Sequence, residues 1–216
     1  MSFETSRALG ITGEFESSKF LTIGSYGSNL KKLSFESDFA SATEAAENRL
    51  IRPDDMTEVA YSLKAQGNAG IAFSYNEPLV GWEYVHDCAK TVKRRGMNAL
   101  LVTNGYVNPA VQSDVNEWLD AVSIKLYGFS EYIYSRMGGD LETVKAFTEA
   151  SIKEVHTEIT YYLFRGVKTE ETEALAKWLA SADKTTILHI KSFYDPETTK
   201  EYMRAAEKYI KNVIIV

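Results

Sequence analysis

Cysteine is almost missing from this chain: Cys88 is alone among 216 residues. One thiol forms no intrachain disulfide, no cysteine-rich zinc site and no iron–sulfur cluster held by three or four of the chain's own thiolates. Histidine is scarce too, at three residues, and their spacing suggests no metal site. Cation excess is absent, since 24 Lys and Arg face 30 Asp and Glu for a formal charge of −6, which argues against a nucleic-acid binder. Long apolar runs are absent as well, the longest being four residues, as in Ala99–Val102, where a membrane span needs roughly 20. Met1 to Gly10 carries Glu4 and Arg7 and no apolar run, so it does not read as an export signal. Together these absences predict a cytoplasmic protein with no membrane and no nucleic-acid partner. No linker or low-complexity stretch divides residues 1–216, and a 44% apolar fraction suits one domain with a real core.

What is present is an alternation of short Val, Ile and Leu runs with longer helix-like segments, the pattern of βα units around a parallel sheet. The expected strands are Phe20–Ser25, Ala69–Ser74, Ala99–Thr103, Ala121–Leu126, Val155–Phe164, Thr186–Ile190 and Val213–Val216. Helix starts are marked by a capping box at Ser41 and Glu44, by Pro53, by Asn108-Pro109, by Thr169 with Glu170 and Glu171, and by Asp195-Pro196-Glu197. Gly96 ends a helix running from about Gly81, with Lys93, Arg94 and Arg95 at its C-terminal turn. Six βα units and a last strand fit either an open doubly wound sheet or a barrel. Parity favours the barrel. Ser123, Lys125 and Tyr127 share one face of the fourth strand, and His156, Glu158, Thr160 and Tyr162 share one face of the fifth. A dry barrel interior is filled by branched apolar side chains, so a polar inner face on two neighbouring strands predicts a lumen that holds a polar ligand.

Two strand ends carry polar turns, Ser74-Tyr75-Asn76-Glu77-Pro78 and Thr103-Asn104-Gly105-Tyr106. The C-terminal ends of parallel strands are where such folds place binding groups. Glu77 suits a ligand ammonium, Asn76 and Asn104 offer amides, and Gly105 permits close approach to the backbone. With their spacing, from Ile71 to Pro109, and with the segment from Asp120 to Ser130, these turns resemble the radical S-adenosylmethionine (radical SAM) proteins. The resemblance is to the pyruvate formate-lyase activating enzyme branch and the AmmeMemoRadiSam-system proteins, over roughly residues 20 to 195. It implies an α/β fold, a partial (β/α)6 TIM-type barrel with its site at the C-terminal mouth.

The family's cluster needs three cysteines spaced C-x3-C-x2-C after the first barrel strand. The matching positions here fall on Ser28, Lys32 and Phe35, none of them a thiolate. The resemblance therefore implies no iron–sulfur cluster, with S-adenosylmethionine or a related nucleoside or amino acid as the expected small-molecule ligand. It assigns Glu77 to the ligand ammonium, places Thr103, Asn104 and Gly105 beside it, and puts Lys125 and Tyr127 near the lysine that meets the SAM carboxylate. The family's late segment near the adenosine falls on Lys191 to Asp195. Expected ligand-binding residues are thus Asn76, Glu77, Thr103, Asn104, Gly105, Lys125, Tyr127 and Thr160. A second reading is a non-radical lyase or aldolase that uses Lys125 with His156 and Glu158, against which stands a plain Lys125–Glu158 ion pair filling the lumen. A third is a pseudoenzyme scaffold for a protein partner, with Trp82, Tyr84, Trp118 and Tyr132 as its aromatic surface. For Cys88 the expected role is that of a small buried hydrophobe on a helix.

Overall fold

A computed structural model describes residues 1–31 and 51–216. Eight strands form one sheet in sequential order: β1 (Ser2–Thr5), β2 (Lys19–Ile23), β3 (Asn68–Phe73), β4 (Asn98–Thr103), β5 (Ala121–Leu126), β6 (His156–Leu163), β7 (Ile187–Ser192) and β8 (Asn212–Ile215). β1 runs antiparallel to β2, and every pairing from β2 to β8 is parallel. The sheet does not close on itself, and the architecture is the expected partial barrel. The seven expected strands are present within a few residues. β1 was not among them, because four residues of alternating burial give too short a pattern to separate from a loop.

The helices are α1 (Pro53–Ser62), α2 (Trp82–Arg94), α3 (Gln112–Asn116), α4 (Glu131–Met137), α5 (Leu141–Glu154), α6 (Thr169–Ala182) and α7 (Pro196–Glu207). Their punctuation follows the sequence. Pro53 opens α1, Asp195 caps α7 by accepting the Glu197 and Thr198 N–H groups, and Gly96 follows α2 in the left-handed region. Asn108 caps a short 3-10 turn that leads into α3. The capping box at Ser41 and Glu44 lies outside the described residues.

Parity divides the core in two. Outward side chains of the parallel strands, such as Val122, Ile124, Ile159, Leu163 and Leu188, pack against the helices in the larger cluster, which also holds Cys88 at the inner face of α2. The inward face is apolar near the strand starts on one side only, where Phe20, Ala72, Leu100 and Ala121 meet Leu9, Ile11 and Phe15. The N-terminal segment therefore crosses the bottom of the barrel and seals it. Glu158 fixes this segment: Thr12 donates its N–H to one carboxylate oxygen (2.6 Å) and its hydroxyl to the other (2.9 Å). Gly10 makes the close approach, with φ +73° and Ser123 Oγ and Thr160 Oγ1 each 2.8 Å from where a Cβ would sit.

Candidate functional site

Above this seal, at the C-terminal ends of the strands, lies a cavity of about 480 Å³, within the range of small-molecule sites. Of the expected ligand-binding residues, Asn76, Glu77, Thr103, Asn104, Lys125, Tyr127 and Thr160 line it. Register explains the grouping. Lys125 pairs with Thr160 and Thr160 with His189, so three adjacent strands present an ammonium, a hydroxyl and an imidazole at one level. One inward step higher, Tyr162 pairs with Lys191, whose Nζ sits 5.4 Å from the Tyr162 ring centroid, and Tyr127 packs on the same ring at 5.1 Å.

The Glu77 carboxylate is 1% exposed and already accepts three bonds: from Leu79 N–H (3.0 Å), from the Thr103 hydroxyl (2.6 Å) and from Asn104 N–H (2.8 Å). It thereby clamps the turn after β3 to the turn after β4. Burial pushes its carboxyl above the usual range, opposed by these bonds and by Lys125. Four lone-pair directions and three bonds leave one acceptor position for a ligand. Asn76 donates to the Ser25 carbonyl (2.6 Å), and Asn104 donates to Asn29 Oδ1 (2.9 Å), so both amides also lock the loop after β2. Tyr75 and Asn76 stand in succession at φ +56° and +57°, a costly conformation for tyrosine that this loop contact holds in place. Gly105 does not line the cavity. A Cβ there would meet Ile124 Cγ2 at 3.2 Å and Phe147 and Val144 at 3.4 Å, so its glycine serves a positive φ and close packing on α5.

The three residues expected to act together do not share one site. Lys125 lines the cavity, whereas Glu158 and His156 lie toward the strand starts, outside the lining. A Lys125–Glu158 pair does not form: the Glu158 carboxylate is bonded by Thr12, by His156 Nε2 (2.9 Å) and by His189 Nε2 (2.6 Å). Lys125 is level with Thr160, and Ser123 takes the position beside Glu158. Burial alone would raise the Glu158 carboxyl, but the bonds from His156, His189 and Thr12 outweigh it and hold the group at about 2. His189 and Lys191 are lining residues that parity reasoning passed over. Residues 187, 189 and 191 alternate as 156 to 162 do, but within Thr186–Ile190 this face carries only Ile187 and His189, and one polar residue does not make a polar face; Lys191 adds the second.

The residues present do not fit a thiolate-held cluster. Ser28 lines the cavity and accepts a bond from Leu30 N–H (3.2 Å), and Lys32 and Phe35 lie outside the described residues. Cys88 is fully buried on α2, and burial pushes its thiol up to about 12. Among the described residues, no group of three His, Cys, Asp or Glu side chains is placed to hold a metal ion. No helix among them is long and apolar enough to cross a membrane. Of the aromatics expected on a partner surface, Trp82, Tyr84 and Trp118 pack against the core, and Tyr132 is 69% exposed.

Comparison with known proteins agrees with this architecture. A profile of the radical SAM superfamily matches residues 38–179, and the chain belongs to that superfamily. An uncharacterized protein of Methanocaldococcus jannaschii is 27% identical over 96 residues, covering 44% of this chain and only 27% of that protein. Among solved structures, a domain of pyruvate-formate lyase-activating enzyme from Bacteroides vulgatus superposes with a TM-score of 0.61 at 17% identity, over 69% of this chain and 99% of the other. SuiB of Streptococcus suis bound to S-adenosylmethionine gives 0.66 at 9% identity, over 91% and 50%. QueE from Escherichia coli gives 0.56 at 15%, over 94% and 88%. At these identities the likeness is one of fold.

Proposed function

We propose that this chain binds S-adenosylmethionine or a related nucleoside or amino acid at the barrel mouth, without radical chemistry of its own. One observation carries the second half: a radical SAM barrel whose chain holds a single cysteine, buried on the far side of the sheet from the cavity. Reductive cleavage needs an iron–sulfur cluster to chelate the methionine end and deliver an electron, and this chain lacks three thiolates to hold one. The first half is supported by the cavity at the strand ends and by Lys125 and Glu77 on its wall. A carboxylate suits the first and an ammonium the remaining acceptor position of the second.

Without iron the amino-acid end loses its chelating anchor, so affinity rests on these contacts alone. Isothermal titration with S-adenosylmethionine and S-adenosylhomocysteine is expected to give saturable one-to-one binding that weakens about tenfold or more in Lys125→Gln. Absence of heat with either compound at millimolar concentration would remove both from consideration.

A further inference from the structure

We propose that His189 is the proton-accepting residue of the cavity, held by Glu158 through Nε2 so that Nδ1 serves the ligand. Glu158 is fully buried and bonded on both oxygens, and an ionised carboxylate only accepts hydrogen bonds. The Nε2 atom, 2.6 Å from it, therefore carries the hydrogen, and in the neutral ring the lone pair stands on Nδ1. His189 is 2% exposed and lines the cavity, yet Nδ1 is buried with no hydrogen-bond partner. A buried acceptor left empty at a cavity wall is a cost that an O–H, N–H or acidic C–H on a bound molecule removes.

The same geometry suits proton transfer. When Nδ1 takes a proton the ring becomes an imidazolium whose Nε2–H already faces the Glu158 carboxylate, so the new charge is compensated without rearrangement. Glu158 is then a positioning residue and does not touch the ligand. Lys125 and Thr160 lie level with His189, placed to steady the anion left on a deprotonated ligand. The ligand class is a small molecule carrying an ionisable O–H, N–H or C–H beside an electron-withdrawing group. This rests on the cavity being a ligand site, and it does not need the ligand to be a nucleoside.

The test uses 5-nitrobenzisoxazole, a small probe that reports a base independently of the natural ligand. Its C3 proton passes to Nδ1, the C–H electron pair becomes the third C–N bond, and the N–O bond breaks to release coloured 2-cyano-4-nitrophenolate. Wild-type protein should exceed free imidazole at equal concentration by about a hundredfold. His189→Gln should fall to the imidazole level. Gln still donates to Glu158 and keeps the fold, which circular dichroism checks, while its amide is not basic. His86→Gln, on α2 outside the cavity, should match wild type.

The other ionisable side chains that line the cavity with His189 are Glu4, Arg7, Lys31, Tyr75, Glu77, Lys125, Tyr127, Tyr162 and Lys191, with Glu158 and His156 outside the lining toward the strand starts. In Glu158→Gln the ring loses the carboxylate that its Nε2–H faces, so kcat on the probe should fall by about tenfold or more with KM unchanged. A His189→Gln rate equal to wild type, an unchanged kcat in Glu158→Gln, or a wild-type rate no better than imidazole would each overturn the proposal. Protein that binds S-adenosylhomocysteine but fails as a base loses this proposal alone. Protein that binds neither nucleoside yet converts the probe through His189 loses the nucleoside reading alone.

Discussion

Two buried carboxylates, one on each level of the barrel, respond to acid in opposite directions. Glu158 is held down at about 2, so it contributes stability at neutral pH that is lost as pH falls from the ordinary carboxylate range toward that value. Roughly 3 kcal/mol is the most this window supplies. Thermal unfolding of Glu158→Gln should therefore start lower at pH 7 and show a flatter decline below about pH 4 than wild type. Glu77 is shifted upward by burial, so its contribution runs the other way and weakens as pH rises through its raised value. Its bonds to Thr103, Asn104 and Leu79 still make the side chain hard to replace. In Glu77→Gln an amide NH2 must face at least one of these donors, and urea unfolding should show a loss of about 1–3 kcal/mol. A variant as stable as wild type would mean that Glu77 does not clamp the two turns.

The elements that sequence patterning recovers are those with enough residues to show a period. All seven parallel strands are legible, because each buries one or both faces over four to eight residues. The N-terminal segment is not. Its residues earn their place through contacts a hundred or more positions away, such as Thr12 with Glu158 and Gly10 with Ser123 and Thr160, and no local pattern announces such pairings. The same holds for the site. Strand parity points to Lys125, Thr160 and Glu158 on one face, but which of them sees the cavity depends on where the segment stops, at Gly10. Two helices, α4 and α5, occupy the unit after β5, divided at Gly138-Gly139-Asp140, where Asp140 caps the second. Gly10→Ala offers a direct test of the segment as a structural element. Its methyl would lie within 2.8 Å of two hydroxyls at a left-handed φ, so a loss of more than about 2 kcal/mol and faster proteolysis between residues 6 and 15 are expected.

At the scale of the molecule, a radical SAM barrel is present while the chain supplies one thiol. Anaerobic reconstitution with iron and sulfide should leave the protein without the brown absorbance of a four-iron cluster, and a stable coloured species would contradict the proposed function. Fold and family were legible because they reside in periodicity and in the turns after β3 and β4, which tolerate much change elsewhere. The N-terminal segment has one more consequence. Because the barrel carries an occupant from its own chain, residues 7–10 form part of the cavity lining together with the strand residues above them. Lengthening, trimming or reshaping that short stretch would resize the chamber like a piston in a cylinder, altering which ligands fit while every wall-forming strand stays unchanged.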